Sequence, residues 1–148
     1  MTAAHSMRVI VLCVIVALLF GCSNGGGGSG DKLELSNPRG SISADISLIN
    51  LCAGFGFPSA YVFTADYDGD LNVGDQIFVT ATFLPSGGTL NTPKIIGTDP
   101  TTGSSITPND VSVFDCYIAQ SDTTLRVEVD VINSAGVRSN TVSATFNI

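Results

Sequence analysis

TLRVEVDVINSAGVRSNTVSATFNI, residues 124–148, carries the alternation on which the fold is read. Leu125, Val127, Val129 and Val131 alternate with Arg126, Glu128 and Asp130. Successive side chains of a strand point to opposite faces, so this spacing gives one dry face and one wet face. Asn133-Ser134-Ala135-Gly136 is a turn composition. The alternation then resumes through Val142, Ala144, Phe146 and Ile148. Two such runs joined by a turn predict a terminal antiparallel hairpin.

The same period extends upstream. Residues 76–83, QIFVTATF, are β-branched and aromatic with no internal breaker, and Pro85-Ser86-Gly87-Gly88 ends them. Residues 111–118 place Phe114, Cys116 and Ile118 on one parity. Residues 41–52, SISADISLINLC, put Ile42, Ala44, Ile46, Leu48 and Cys52 on one parity, which predicts a strand with Cys52 on its buried side. Lys32 to Ser36 alternate briefly before Asn37-Pro38-Arg39-Gly40, which predicts a turn, and residues 92–97 predict a short edge strand. Residues 99–110 predict a Pro-, Gly-, Ser- and Thr-rich loop. Residues 53–63, AGFGFPSAYVF, have two readings: a turn leading into a core strand from Ala60, or an exposed apolar binding loop. Nothing after residue 31 sustains a 3.6 period, so essentially no helix is expected. Seven to eight short strands separated by turns predict an all-β, antiparallel β-sandwich.

Residues 71–83, LNVGDQIFVTATF, with residues 125–146, LRVEVDVINSAGVRSNTVSATF, resemble bacterial immunoglobulin-like surface modules. In these a Gly-Asp pair introduces an early strand and a Ser-Ala-Gly turn sits in the last hairpin. The resemblance implies an immunoglobulin-like sandwich with a structural, adhesive, or protein- or carbohydrate-binding role, and it transfers no site residues. The chain departs from antibody-type domains in having no tryptophan, and Phe114 stands where a tyrosine corner would need tyrosine.

The amino-terminal stretch assigns a compartment. The apolar run of residues 9–20, behind Arg8, has the length of a signal-peptide core and falls short of the roughly 20 residues of a membrane-spanning helix. It ends in Leu19-Phe20-Gly21-Cys22, which resembles a bacterial lipobox. That resemblance implies cleavage before Cys22 and lipidation of Cys22. Ser23, rather than aspartate, follows, which implies the outer membrane; which of its faces the domain occupies is left open. The next residues, SNGGGGSG, form a polar tether that reaches roughly 15 Å on average. The expected organisation is therefore a signal peptide (1–21), a lipidated cysteine and tether (22–31), and one sandwich domain (32–148).

This processing changes the charge and cysteine bookkeeping. The full chain carries six Lys or Arg and 13 Asp or Glu. Loss of Arg8 leaves five basic side chains, and so acidic a surface argues against nucleic acid as a partner. Cys13 is removed and Cys22 lipidated, so Cys52 and Cys116 remain to form one disulfide in an oxidising compartment. His5 also leaves, so the mature chain has no histidine.

These features predict a lipid-anchored, non-catalytic binding or structural module of the cell envelope, with an envelope protein or polysaccharide as partner. The alternative is a calcium-dependent adhesion or assembly module. Asp66, Asp68, Asp70 and Asp75 supply hard oxygen ligands, although Leu71 and Ile77 depart from the calcium-loop pattern. A small envelope hydrolase using paired carboxylates is a third reading. No cofactor beyond that calcium is expected.

Overall fold

Most of the alternating stretches do become strands. In the computed structural model, which describes residues 32–97 and 103–148, eight strands form two four-stranded antiparallel sheets packed as a sandwich. The residues read as a lipobox with Cys22 and as a glycine tether, and the start of the predicted 99–110 loop, lie outside the described residues. The elements run β1 (Glu34–Ile42), α1 (Ile46–Gly54), β2 (Ser59–Asp68), β3 (Gln76–Leu84), β4 (Thr89–Ile95), β5 (Ser104–Ile106), β6 (Asp110–Tyr117), β7 (Thr124–Ile132) and β8 (Val142–Asn147). One sheet has the order β1-β2-β6-β5 and the other β4-β3-β7-β8.

The dry faces meet between the sheets. Tyr61, Phe63 and Ala65 of β2 and Val111 and Val113 of β6 pack against Ile77, Val79 and Ala81 of β3 and Leu125, Val127, Val129 and Val131 of β7. Burial of each large aliphatic or aromatic side chain is worth about 1.5–3 kcal/mol, so this interface dominates the stability. Val142, Ala144 and Phe146 of β8 cover it at one side. There Gly40 of β1 passes so close to Phe146 that a Cβ would sit 2.4 Å from the ring. On the wet face Asp130 is nevertheless buried, because Arg138 reaches back to it at 2.6 Å and lies 5.3 Å over the Phe78 ring.

Residues 41–52 correct the expectation of a strand and of no helix. They divide between the end of β1 and helix α1. Asp45 caps the helix from extended backbone, its Oδ1 accepting from the Ser47 amide at 2.8 Å. Leu48 and Cys52 are four residues apart, a spacing that satisfies period two and period 3.6 alike, so alternation did not discriminate. The helix lays both, with the support of Leu51, on Ala60 and Phe114 of the first sheet's outer face, a second and smaller core. Cys52 and Cys116 are joined there as a disulfide, with Cα atoms 5.4 Å apart. The bond ties α1 to β6 and does not cross the space between the sheets.

Two further expectations shift. Residues 37–40 are not a turn but lie within β1, whose register slips between Ser36 and Arg39, with Asn37 at φ 48. The slip behaves as a bulge, which absorbs Pro38 without breaking the strand. Within the predicted 99–110 loop, the segment 104–106 pairs with β6 as β5; three residues are too few for periodicity to show. The edge strand predicted at 92–97 begins earlier, as β4 at Thr89.

The pairing defines two poles. Lys32 and Leu33 enter beside Gly69, at the pole that holds the 69–75 and 133–141 loops. The segments 55–58, 85–88 and 118–123 gather at the opposite pole, where β2 begins and β3 and β6 end. Nine residues of β3 at about 3.4 Å each put roughly 30 Å between them.

Candidate functional site at the distal pole

The pole remote from Lys32 holds a pocket of about 270 Å³ between the α1–β2 loop, the β3–β4 hairpin and the β6–β7 loop. The ends of two inner-face strands furnish its aromatic lining. Phe83 comes from β3 and Tyr117 from β6, both buried, with ring centroids 6.1 Å apart and planes inclined by 40°. Burial raises the pKa of the Tyr117 hydroxyl, so it is protonated and neutral at physiological pH. Phe57, Leu90 and Ile118 also line the pocket while remaining 37%, 46% and 48% exposed. Gly56, at φ 85, turns the chain between Phe55 and Phe57, and Phe55 is 72% exposed. The 53–63 stretch therefore divides: Ala53 and Gly54 end α1, Phe55 and Phe57 lie on the surface, and Phe63 is core.

The polar side of the pocket is built by Asp122. One carboxylate oxygen accepts from the Ser86 amide at 2.8 Å and the other from the Ser86 hydroxyl at 2.7 Å. This ties the β3–β4 hairpin to the β6–β7 loop and fixes the direction of the carboxylate. Gln120, at φ 50, occupies left-handed backbone uncommon for a residue with a side chain, and lies on the lining beside Asp122. Sequence reading did not find this site, because its parts come from three separate loops. The one local signal was the pair of aromatic residues on either side of Gly56.

The acidic residues singled out in the sequence lie toward the other pole and do not converge. Asp66 sits on β2 with its carboxylate accepting from Asn37 at 2.7 Å and Arg39 at 2.8 Å; these two partners hold its pKa below the usual carboxylate range. Asp68 ends β2 and is exposed, and Gly69 at φ 113 then breaks the alternation that would have kept Asp70 on its face. Asp70 is exposed, its carbonyl accepting from Asn133 Nδ2 at 3.0 Å. Asp75 turns inward, 4% exposed, and its carboxylate accepts from the Asn72 amide at 2.7 Å. Among the described residues no three His, Cys, Asp or Glu side chains gather closely enough to hold a metal ion. Cys52 and Cys116 are consumed by their disulfide.

No protein-family model matches the chain, and comparisons with curated proteins and with solved structures find no match. The fold is a small all-β sandwich compatible with an immunoglobulin-like domain.

Proposed function

We propose that this chain is a non-catalytic binding module of a bacterial cell envelope, an immunoglobulin-like domain held to the outer membrane by lipid on Cys22. The observation that supports the reading is the opposition of the poles. The tether residues precede Lys32 at one pole, and the pocket with its apolar rim opens at the other, roughly 30 Å away. A domain held by its first pole offers the second to a partner beyond the bilayer. The acidic stretch 66–75 would lie on the bilayer side, where anionic headgroups repel it and favour an upright domain.

The non-catalytic part of the reading rests on the chemistry of the pocket. Asp122 is the single ionisable carboxylate among its described lining residues, and both its oxygens are engaged by Ser86. Glycoside hydrolysis needs a second carboxylate within about 10 Å across a cleft, and none lines this pocket among the described residues. The Ser86 hydroxyl does meet a base in Asp122, but no histidine or lysine lines the pocket among the described residues to complete a catalytic set.

Cell fractionation tests the anchor. The wild-type protein is expected in the outer-membrane fraction, and Cys22→Ala is expected to leave it. Retention of Cys22→Ala in that fraction would remove the lipid from the reading. Photo-crosslinking in intact cells tests the presenting pole. A crosslinker at Leu90 is expected to give a discrete adduct, and one at Val73, exposed near the other pole, is not. Adducts from Val73 alone would reverse the orientation.

A further inference from the structure

We infer that the distal pocket receives an arginine side chain presented by a partner protein; this rests on the binding-module reading and names what the pocket binds. The argument is one of charge left over. Every basic side chain among the described residues is already committed to an ion pair. Lys32 pairs with Glu34, Arg39 with Asp66 and Asp110, Lys94 with Asp115, Arg126 with Glu128, and Arg138 with Asp130. Asp122 has no such partner among the described residues; neither do Asp45, Asp68, Asp70 and Asp75, but of these five only Asp122 lines the pocket. Its two hydrogen bonds come from Ser86, a neutral residue, so they orient the carboxylate without cancelling its charge. No basic residue lines the pocket among those described.

The remainder of the lining suits a cation of one kind. Phe57, Phe83 and Tyr117 contribute aromatic rings to the lining, and an aromatic face attracts a positive group within about 6 Å. A guanidinium combines a flat, weakly hydrated face for such rings with paired donors that a carboxylate accepts. A lysine ammonium gives up more hydration and offers no plane to stack. The volume, about 270 Å³, lies just below the range of drug-sized ligand sites and is of the order of one long side chain. The exposed apolar residues Leu90 and Ile118 give the rest of an incoming chain something to cover. That favours a protein as the source over a free amine, which would leave them wet. Aromatic and arginine anchors seated in such pockets carry most of the energy of protein interfaces.

The test uses the full-length protein in detergent, followed by NMR. The probes are a capped Gly-Arg-Gly peptide, its citrulline and lysine counterparts, and free agmatine. The arginine peptide is expected to shift signals of Phe57, Gln120 and Asp122 with millimolar affinity. The citrulline peptide, of the same shape without the charge, is expected to bind at least tenfold more weakly, the lysine peptide severalfold more weakly, and agmatine no better than the peptide. Asp122→Asn keeps an acceptor for Ser86, and Phe57→Ala alters an exposed residue, so each variant retains the fold. Each is expected to weaken the arginine peptide severalfold or more. Equal binding of citrulline or of lysine, tighter binding of agmatine, no shift at ten millimolar, or indifference to Asp122→Asn overturns the assignment. Because this titration involves no cellular membrane, its failure leaves the Cys22 fractionation result standing, and the reverse also holds.

Discussion

Asn140 substitutes for a strand at Leu35: its Oδ1 accepts from the Leu35 amide at 2.7 Å and its Nδ2 donates to the Leu35 carbonyl at 2.9 Å. One amide side chain thus meets both backbone groups of a residue at the edge of β1, on the side where β8 of the other sheet runs past. Without it that edge would hold a donor and an acceptor partly withdrawn from water. Asn140→Ala removes both partners and is expected to cost about 2 kcal/mol in urea denaturation. Asn140→Asp keeps an acceptor for the amide but sets a carboxylate against the Leu35 carbonyl, so it is expected to be no better than alanine. If Asn140→Asp matched wild type, the donated bond to the carbonyl would contribute nothing.

The disulfide gives a prediction that separates local from global order. It closes a separation of 64 residues, which in the chain-entropy picture is worth about 4 kcal/mol. Replacing both cysteines by alanine is expected to lower stability by that order. The loss of protection should also be uneven. Leu48 and Cys52 hold α1 to the outer face of the sheet through a small cluster, whereas β3 and β7 belong to the main core. Hydrogen exchange should therefore find α1 amides opening before those of β3 and β7. Equal acceleration in both regions would show that helix and sandwich unfold as one unit.

The strands were legible because Leu125, Val127, Val129 and Val131 admit one arrangement: they bury on one side of an extended chain and nowhere else. The helix was not, because Leu48 and Cys52 fit a strand and a helix equally, and Asp45 as a cap competes with Asp45 as the polar residue of an alternating strand. The disulfide partners followed from counting cysteines, but the face they join followed only from the pairing of β6 with β2. The pocket was illegible for a different reason. Phe83 and Tyr117 are core residues at the ends of their strands, while Asp122 and Ser86 lie in two separate polar loops. Their convergence depends on where three loops end in space, and no local pattern encodes that.

Asp66 predicts part of the acid sensitivity. Its hydrogen bonds from Asn37 and Arg39 lower its folded-state pKa, whereas in the unfolded chain the group titrates near about 3.9. A depressed folded pKa contributes stability that is fully present above the unfolded value and is lost as the pH falls through the folded one. Denaturation midpoints are therefore expected to be steady through neutral and mildly acidic pH and to fall below about pH 4. Asp66→Asn should lower the midpoint at pH 7 and flatten that acid limb. An acid limb as steep as that of wild type would assign the sensitivity to other carboxylates.

Lys94 and Asp115 close the side of the sandwich opposite Asn140. Lys94 lies on β4 and Asp115 on β6, so their 3.2 Å ion pair joins the two sheets. The side chains are 14% and 26% exposed, enough to withdraw them from most solvent but not all. Breaking a fully buried pair costs about 3–5 kcal/mol because the remaining charge is stranded. Partial exposure reduces that, and Lys94→Met is expected to cost about 1–3 kcal/mol. The stranded group would be Asp115, whose charge also acts on Tyr61. Burial raises the Tyr61 hydroxyl pKa first and Asp115 raises it further. Replacing both members, as Lys94→Met with Asp115→Leu, removes the stranded charge and extends the apolar lining of the core. The double variant is therefore expected to recover most of the loss, with the Tyr61 pKa moving down toward the value burial alone would set. If the double variant is as unstable as Lys94→Met, the pair holds the sheets together by geometry that apolar contact does not replace.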